Sequence, residues 1–300
     1  MKVVVMIPAF NEQKSIEYVI NEIPKDLADE VDIVVIDDGS TDNTAAVAKK
    51  TGAKVIRHKV NKGLASAFRT GLEHALSLGA DIIVNTDADG QYDGREIQKL
   101  LEPIISGRAD VVIGSRFKGT IEDMPFQKRI GNRLATLVTK LISGYKVSDA
   151  QTGFRAFNRE AAQQLCVQAK YTYVQETLVQ VTNLGLVLEE VPILFRKRKV
   201  GSSRLISNIF KYALRAGPAI LSTAFDYKLV IYTITVSCIF TLFGLLLTVL
   251  KFSSWLPFII ICFQAVLAII FACVVTRGRR VEDEVMFRLK VIESQIKKPD

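Results

Sequence analysis

From Leu229 to Leu250 the chain reads LVIYTITVSCIFTLFGLLLTVL without a single charge. At about 1.5 Å per residue a helix of this stretch reaches roughly 33 Å, enough for a hydrocarbon core of about 30 Å. A second uncharged run, Leu256 to Val275, follows the connector KFSSW, which leaves room only for a tight reversal. Together they predict an antiparallel transmembrane hairpin over residues 229–275. Lys228 precedes the first run and Arg277, Arg279 and Arg280 follow the second, whereas the connector carries only Lys251. The basic flanks therefore place both termini on the cytoplasmic side of a cell membrane that the chain crosses twice. Trp255 suits the far interface, a place where a packed surface tryptophan is nearly as good a reading.

The formal charge of +8 raises the question of nucleic acid, but much of the basic excess lies between Arg196 and Arg215 and just after the hairpin. Membrane lipids with anionic headgroups and a phosphorylated lipid fit that distribution better than nucleic acid does. Of the four cysteines, Cys238, Cys262 and Cys273 fall in the two uncharged runs and Cys166 stands alone, so neither a disulfide framework nor a metal-binding pattern is expected. MKVVVMIPAF at the start is too short an apolar stretch for a secretory signal and reads as a buried strand. Ile206 to Phe225 alternates apolar residues with Lys211 and Arg215, which predicts an amphipathic interfacial helix over 206–228, interrupted at Gly217 and Pro218, with an ordinary packing helix as the alternative. The tail 276–300 sets Val285, Leu289, Ile292 and Ile296 on one face, and hairpin and tail are candidates for assembling a homo-oligomer.

Residues 1–205 have a different character, with short β-branched runs alternating with helical patterns. That alternation predicts an α/β domain with a mainly parallel sheet covered on both faces. Strands are expected at Val3–Ile7, Ile33–Ile36, Val55–Arg57, Ile82–Asn85 and Val111–Gly114, and helices at Lys14–Glu22, Thr44–Lys50, Ala65–Leu78 and Arg95–Ile105. In such sheets ligands bind beyond the carboxyl ends of the strands. Those positions are rich in acids and glycine. Pro8-Ala9-Phe10-Asn11-Glu12 follows the first strand and Asp37-Asp38-Gly39-Ser40-Thr41-Asp42 the second. Carboxylates there can accept hydrogen bonds from a base edge or ribose hydroxyls, the use expected of Asp37 and Asp38. A turn that caps the next helix is the alternative for each.

The fourth strand runs into Asn85-Thr86-Asp87-Ala88-Asp89-Gly90-Gln91. Alternate residues of an extended segment point the same way, so Asp87, Asp89 and Gln91 form a row of oxygen donors. Such donors suit Mg²⁺ or Mn²⁺ shared with a diphosphate, although a solvated acidic turn has the same composition. His58 and His74 lack partners at metal or triad spacing and are expected to pack or lie at the surface.

PAFNE, DDGSTD, Asn61-Lys62-Gly63, DADGQ and Gly114-Ser115-Arg116, in this order, resemble a family 2 glycosyltransferase with the GT-A nucleotide-binding fold. Lys128-Arg129-Ile130-Gly131-Asn132-Arg133, then Asp149-Ala150-Gln151-Thr152-Gly153-Phe154-Arg155-Ala156-Phe157, then the segment Arg198 to Leu205 (RKVGSSRL), resemble the dolichyl-phosphate mannose or glucose synthase branch. The likeness covers roughly residues 1–228. It implies a nucleotide against Pro8, Phe10, Asn11, Glu12, Asp37 and Asp38, with Lys62 and Arg69 near the donor phosphates. It implies a metal on Asp89 and Gln91 with Asp87 beside it. It also implies an acceptor phosphate among Arg116, Arg129 and Arg198, with Asn132 and Ser203 in support, and Glu176 near the donor sugar, where a helix-start carboxylate is an equal reading. Two positions depart from the pattern: Asn132 stands where serine is usual and Arg204 where lysine is usual, which touches acceptor geometry more than activity.

The implied reaction is inverting, metal-dependent transfer of a hexosyl group from a UDP- or GDP-sugar to dolichyl or polyprenyl phosphate at the cytoplasmic face. The wording of DADGQ and QTGFRAF leans towards UDP. With a second pKa of about 6 the lipid phosphate is mostly dianionic at neutral pH and needs no general base. Arginine forks suit the task of holding that dianion beside a diphosphate. A processive polysaccharide synthase would share the first motifs, but QxxRW is missing and the sole tryptophan lies in the connector. A non-catalytic lipid-phosphate binding or flipping protein is the other alternative, and intact DADGQ, GSR and TGFRAF argue against it.

Overall fold

A computed structural model describes residues 1–144, 146–167 and 173–198, together with residue 239 and scattered positions between 262 and 289. The chain divides into two compact units, Met1–Ile220 with Phe287–Asp300, and Leu221–Met286. The interfacial helix expected over 206–228 and Ser203 lie outside the described residues, and so does nearly all of the hairpin and tail. Among the described residues no helix is long and apolar enough to cross a membrane.

The first unit holds a sheet of seven strands: β1 (Lys2–Ala9), β2 (Glu30–Asp37), β3 (Lys54–Arg57), β4 (Ile82–Asn85), β5 (Val111–Ile121), β6 (Arg155–Asn158) and β7 (Leu188–Phe195), in the order β3-β2-β1-β4-β6-β5-β7. All neighbours are parallel except β6, which runs against both β4 and β5. The helices are α1 (Ile16–Glu22), α2 (Thr44–Lys50), α3 (Leu64–Ser77), α4 (Ile97–Ile105), α5 (Phe126–Ser143), α6 (Arg159–Gln164) and α7 (Val174–Asn183).

Strand alternation sorts the core into two layers. Val3, Val5 and Ile7 of β1 pack with α1 and α4, while Val4 and Met6 face α3, α6 and α7. In α3 the apolar residues Ala65, Phe68, Leu72, Ala75 and Leu76 recur at three- and four-residue spacing, and that stripe is what the sheet buries. In register, Ala9 lies beside Asp37, Asp37 beside Arg57, and Met6 beside Asn85. The first four strands thus deliver their carboxyl-end loops to one edge of the sheet.

The five expected strands and four expected helices are all present; Ile82–Asn85 and Thr44–Lys50 keep their expected ends and the other seven are shifted. The turn closed by Ser15 N–H and Ile16 N–H on the Glu12 carbonyl delays α1 from Lys14 to Ile16. Asp93 accepts a hydrogen bond from Arg95 N at 3.0 Å, closing a 3₁₀ turn over Gly94–Glu96 ahead of α4. β5 outruns Gly114 because it pairs with β7 through an irregularity between Ser115 and Thr120.

Arg155, inside β6, is fully buried. Its guanidinium donates to the Thr152 carbonyl (2.9 Å), the Val174 carbonyl (2.8 Å), Thr177 Oγ1 (2.7 Å) and the Ala150 carbonyl (3.1 Å). These partners are all neutral, so burial pulls its pKa down to about 10. It ties the loop before β6 to α7. Arg155→Met is expected to lower unfolding stability by about 3 kcal/mol or more, because removing one member of a buried hydrogen-bonded set strands the others. Chemical denaturation in detergent measures it.

Candidate active site

The loops after β1 and β2 are laced to one another. Asn11, at φ 54, donates its backbone N–H to Ser40 Oγ (2.9 Å), and its Oδ1 accepts from Thr41 N (2.8 Å). Asn's tolerance of left-handed backbone explains the residue type. Asp37 is fully buried, accepts from Ser40 N at 2.9 Å and pairs with Arg57 at 3.0 Å. Asp38 accepts from Lys62 N (2.9 Å) and Gly63 N (2.8 Å) and contacts His58 Nδ1 at 2.7 Å, whose Nε2 lies 3.0 Å from Thr70 Oγ1. Gly39 lets the 60–61 backbone approach, since a Cβ there would meet Val60 C at 2.6 Å. The Asp37 and Asp38 carboxylates are therefore occupied by their own chain's groups at the carboxyl end of β2. Pro8 lies within β1, beside Ile36, while Lys62 and Arg69 are exposed.

The acidic turn after β4 is the other half. Asp89 Oδ1 accepts from Gln91 N (3.0 Å), and its Oδ2 lies 3.4 Å from Arg198 Nη1. Arg198 also pairs with Glu12, joining the turn to the first loop. Gln91 donates its amide to the Arg196 carbonyl at 3.3 Å, which leaves its Oε1 without a protein donor among the described residues. Asp87 takes no hydrogen bond among the described residues. Removal from water and the neighbouring Asp89 push its carboxyl up to about 7, against the pull of Arg116, Lys128 and Arg198. Gly153 packs so close that a Cβ would lie 2.9 Å from Asp87 Oδ1, and Asn85 and Tyr173 hold the Gly153 carbonyl there.

The structure thus gathers Asp87, Asp89, Arg116 and Arg198, and sets Glu12 and Gln91 against them. It adds Lys128 and leaves out Arg129. Lys128 faces inward with its ammonium 5.8 Å from the Phe195 ring, and burial together with Arg116 lowers its pKa. Arg129, one residue on, is exposed, as a rotation of about 100° along a helix requires. Asn132 is buried on α5 with its amide 3.8 Å from Met124 Sδ, and Glu176 is buried in the first turn of α7. Adjacent basic residues gave no signal to choose between them. Lys128→Ala is expected to reduce kcat/KM about ten-fold or more, and Arg129→Ala by a few-fold at most, in steady-state assays.

The chain matches the family model described as glycosyl transferase family 2 over residues 4–166. The chain belongs to that family. This glycosyltransferase is 38% identical over 210 residues to the UDP-N-acetylglucosamine–dolichyl-phosphate N-acetylglucosaminyltransferase of Methanococcus voltae, covering 63% of this chain and 83% of the relative. It is 28% identical over 225 residues to the polyprenol monophosphomannose synthase of Mycolicibacterium smegmatis, covering 71% of this chain and 84% of the other. Among solved structures, glucosyl-3-phosphoglycerate synthase of Mycobacterium tuberculosis in complex with Mn²⁺, UDP and phosphoglyceric acid superposes with a TM-score of 0.61 at 22% identity, over 74% of this chain and 78% of that one. That likeness shows the GT-A fold.

Proposed function

We propose that this glycosyltransferase moves a hexosyl group from a nucleotide-sugar to a polyprenyl phosphate, with inversion, at the cytoplasmic membrane face. The observation that carries the reading is an acidic pair, Asp87 and Asp89, set among three cations, Arg116, Lys128 and Arg198. The names of the relatives support the same acceptor class. The donor set fits Mg²⁺ or Mn²⁺: Asp87 has no hydrogen-bonding partner among the described residues, Asp89 stands beside it, and the Gln91 amide oxygen is open. Asp87, Asp89 and Gln91 would hold such an ion, which when bound neutralises the diphosphate as it leaves.

The remaining chemistry falls to the chain. The β1 and β2 loops cradle the nucleotide, and Arg198, anchored by Glu12 and Asp89, spans from that cleft to the acceptor side. Arg116, Lys128 and Arg198 hold the lipid phosphate for in-line attack on the anomeric carbon. A nucleophile already ionised needs positioning and charge stabilisation, which this arrangement supplies.

Helix α5 supports the membrane setting. Phe126, Ile130, Leu134 and Leu137 form an exposed apolar stripe, flanked by exposed Arg129, Arg133 and Lys140, with no acid on the helix. Such a face suits an anionic leaflet, and the helix that bears it also carries Lys128 into the site. The hairpin over 229–275 would anchor the enzyme there.

The test is a panel of radiolabelled UDP- and GDP-sugars with a short polyprenyl phosphate, with and without chelator. Chelator-sensitive label in the organic phase is expected, with inverted anomeric configuration by NMR. Label released only as free sugar or built into polymer would overturn the proposal.

A further inference from the structure

Arg116 cannot aim itself. Its Nε and Nη2 donate to Asp149 at 2.7 and 2.8 Å, its backbone N–H reaches the same carboxylate at 3.1 Å, and its guanidinium lies 5.1 Å from the Phe195 ring centroid. Only Nη1 is left without a protein acceptor among the described residues. Asp149 is in turn held by Glu190 of β7. Glu190 Oε1 accepts from Ser148 N (2.7 Å), Ser148 Oγ (3.0 Å) and Asp149 N (3.2 Å), while Oε2 pairs with Lys118 at 3.0 Å. Ser148 Oγ also lies 2.6 Å from Ser115 Oγ, next to Arg116 in the chain.

We propose that Glu190 and Asp149 are positioning residues: they clamp the 148–149 turn against the end of β5 and thereby present one free nitrogen of Arg116 to the acceptor phosphate. The assignment to the acceptor rests on the function proposed above; the clamping of Arg116 does not. A charged, bidentate pair 4% exposed at the arginine fixes the direction of a fork that would otherwise sample several rotamers. Glu190, opposite Ile113 in the β5–β7 register, sits too far along the sheet edge to be read as a site residue from sequence. A carboxylate that fastens backbone amides of the neighbouring turn couples that strand to the arginine's aim.

Glu190→Gln keeps the side-chain size and one acceptor oxygen but removes the charge that binds the turn and Lys118. In the full-length enzyme in detergent, KM for short polyprenyl phosphate should rise about ten-fold, with the nucleotide-sugar KM changed by less than about two-fold. Ser148→Ala, a gentler change, should move the same constant in the same direction. Both constants rising together, or neither moving, would overturn an acceptor-specific role. A second readout needs no turnover: with ¹⁵N-arginine labelling, the Arg116 Nε–H should exchange slowly with water in wild type and faster in Glu190→Gln. Equal exchange in the two would overturn the clamp itself, whereas faster exchange in an enzyme that glycosylates no lipid phosphate would keep the clamp and discard only the proposed acceptor.

Discussion

Asp87→Asn is expected to lower transfer by about a hundred-fold or more while making the metal-free protein more heat-stable at pH 8 than the wild type. The two effects have one cause. Asp87 sits beside Asp89 with no hydrogen bond of its own among the described residues, so its charge costs the fold free energy that a bound cation would return. A carboxyl raised from its usual range to about 7 binds a proton in the folded state and not in the unfolded one between about pH 4 and pH 7. Wild-type stability therefore falls as pH rises through that window, relative to the neutral amide. The gap in Tm between variant and wild type should be widest above pH 7 and close near pH 4. Mn²⁺ should raise the Tm of the wild type and leave that of the variant nearly unchanged, as differential scanning fluorimetry would record. A variant less stable than wild type at pH 8 would mean that Asp87 has a partner that stabilises its charge.

Arg198→Ala is expected to cost about 10²-fold or more in kcat/KM, since it removes a preorganised donor and loosens two loops at once. Arg198 pairs with both Glu12 and Asp89, and both carboxylates are more than four-fifths buried. Without the guanidinium, the first loop and the acidic turn repel each other. Arg198→Lys keeps the charge but reaches one carboxylate at a time, so an intermediate loss is expected. Donor and acceptor KM should both rise, in contrast to the acceptor-only effect of Glu190→Gln. Unchanged kinetics in Arg198→Ala would remove it from the reaction.

Much of this site was readable because its residues obey local rules. The runs VVVMI and IVVI are β-branched and apolar on both faces, which only a doubly covered strand tolerates. DADGQ was legible because oxygen donors gather just past the end of a buried strand, although β4 stops at Asn85 and the segment folds as a turn, with Gly90 at φ 74, rather than as the expected extended row. What was not legible depends on contacts between distant segments. β6 is four residues long with an arginine at its head, so its pattern gives no strand signal, and only the buried partners of Arg155 on α7 explain it. Asp38 reads as a ligand-facing acid, yet folding brings Lys62, Gly63 and His58 to it. His58, expected to be an ordinary packing residue, turned out to be one that also contacts Asp38. Lys128 and Arg129 are neighbours that differ only in which way α5 faces, and no motif carries a helix's rotation about its axis.

The most direct test is a structure of the enzyme with Mn²⁺, a nucleoside diphosphate and a short polyprenyl phosphate bound together. The metal should lie against Asp87 and Asp89, with the lipid phosphate within hydrogen-bonding distance of Arg116, Lys128 and Arg198. A lipid phosphate bound away from those three cations, or a metal held by other residues, would contradict the proposed meeting of donor and acceptor.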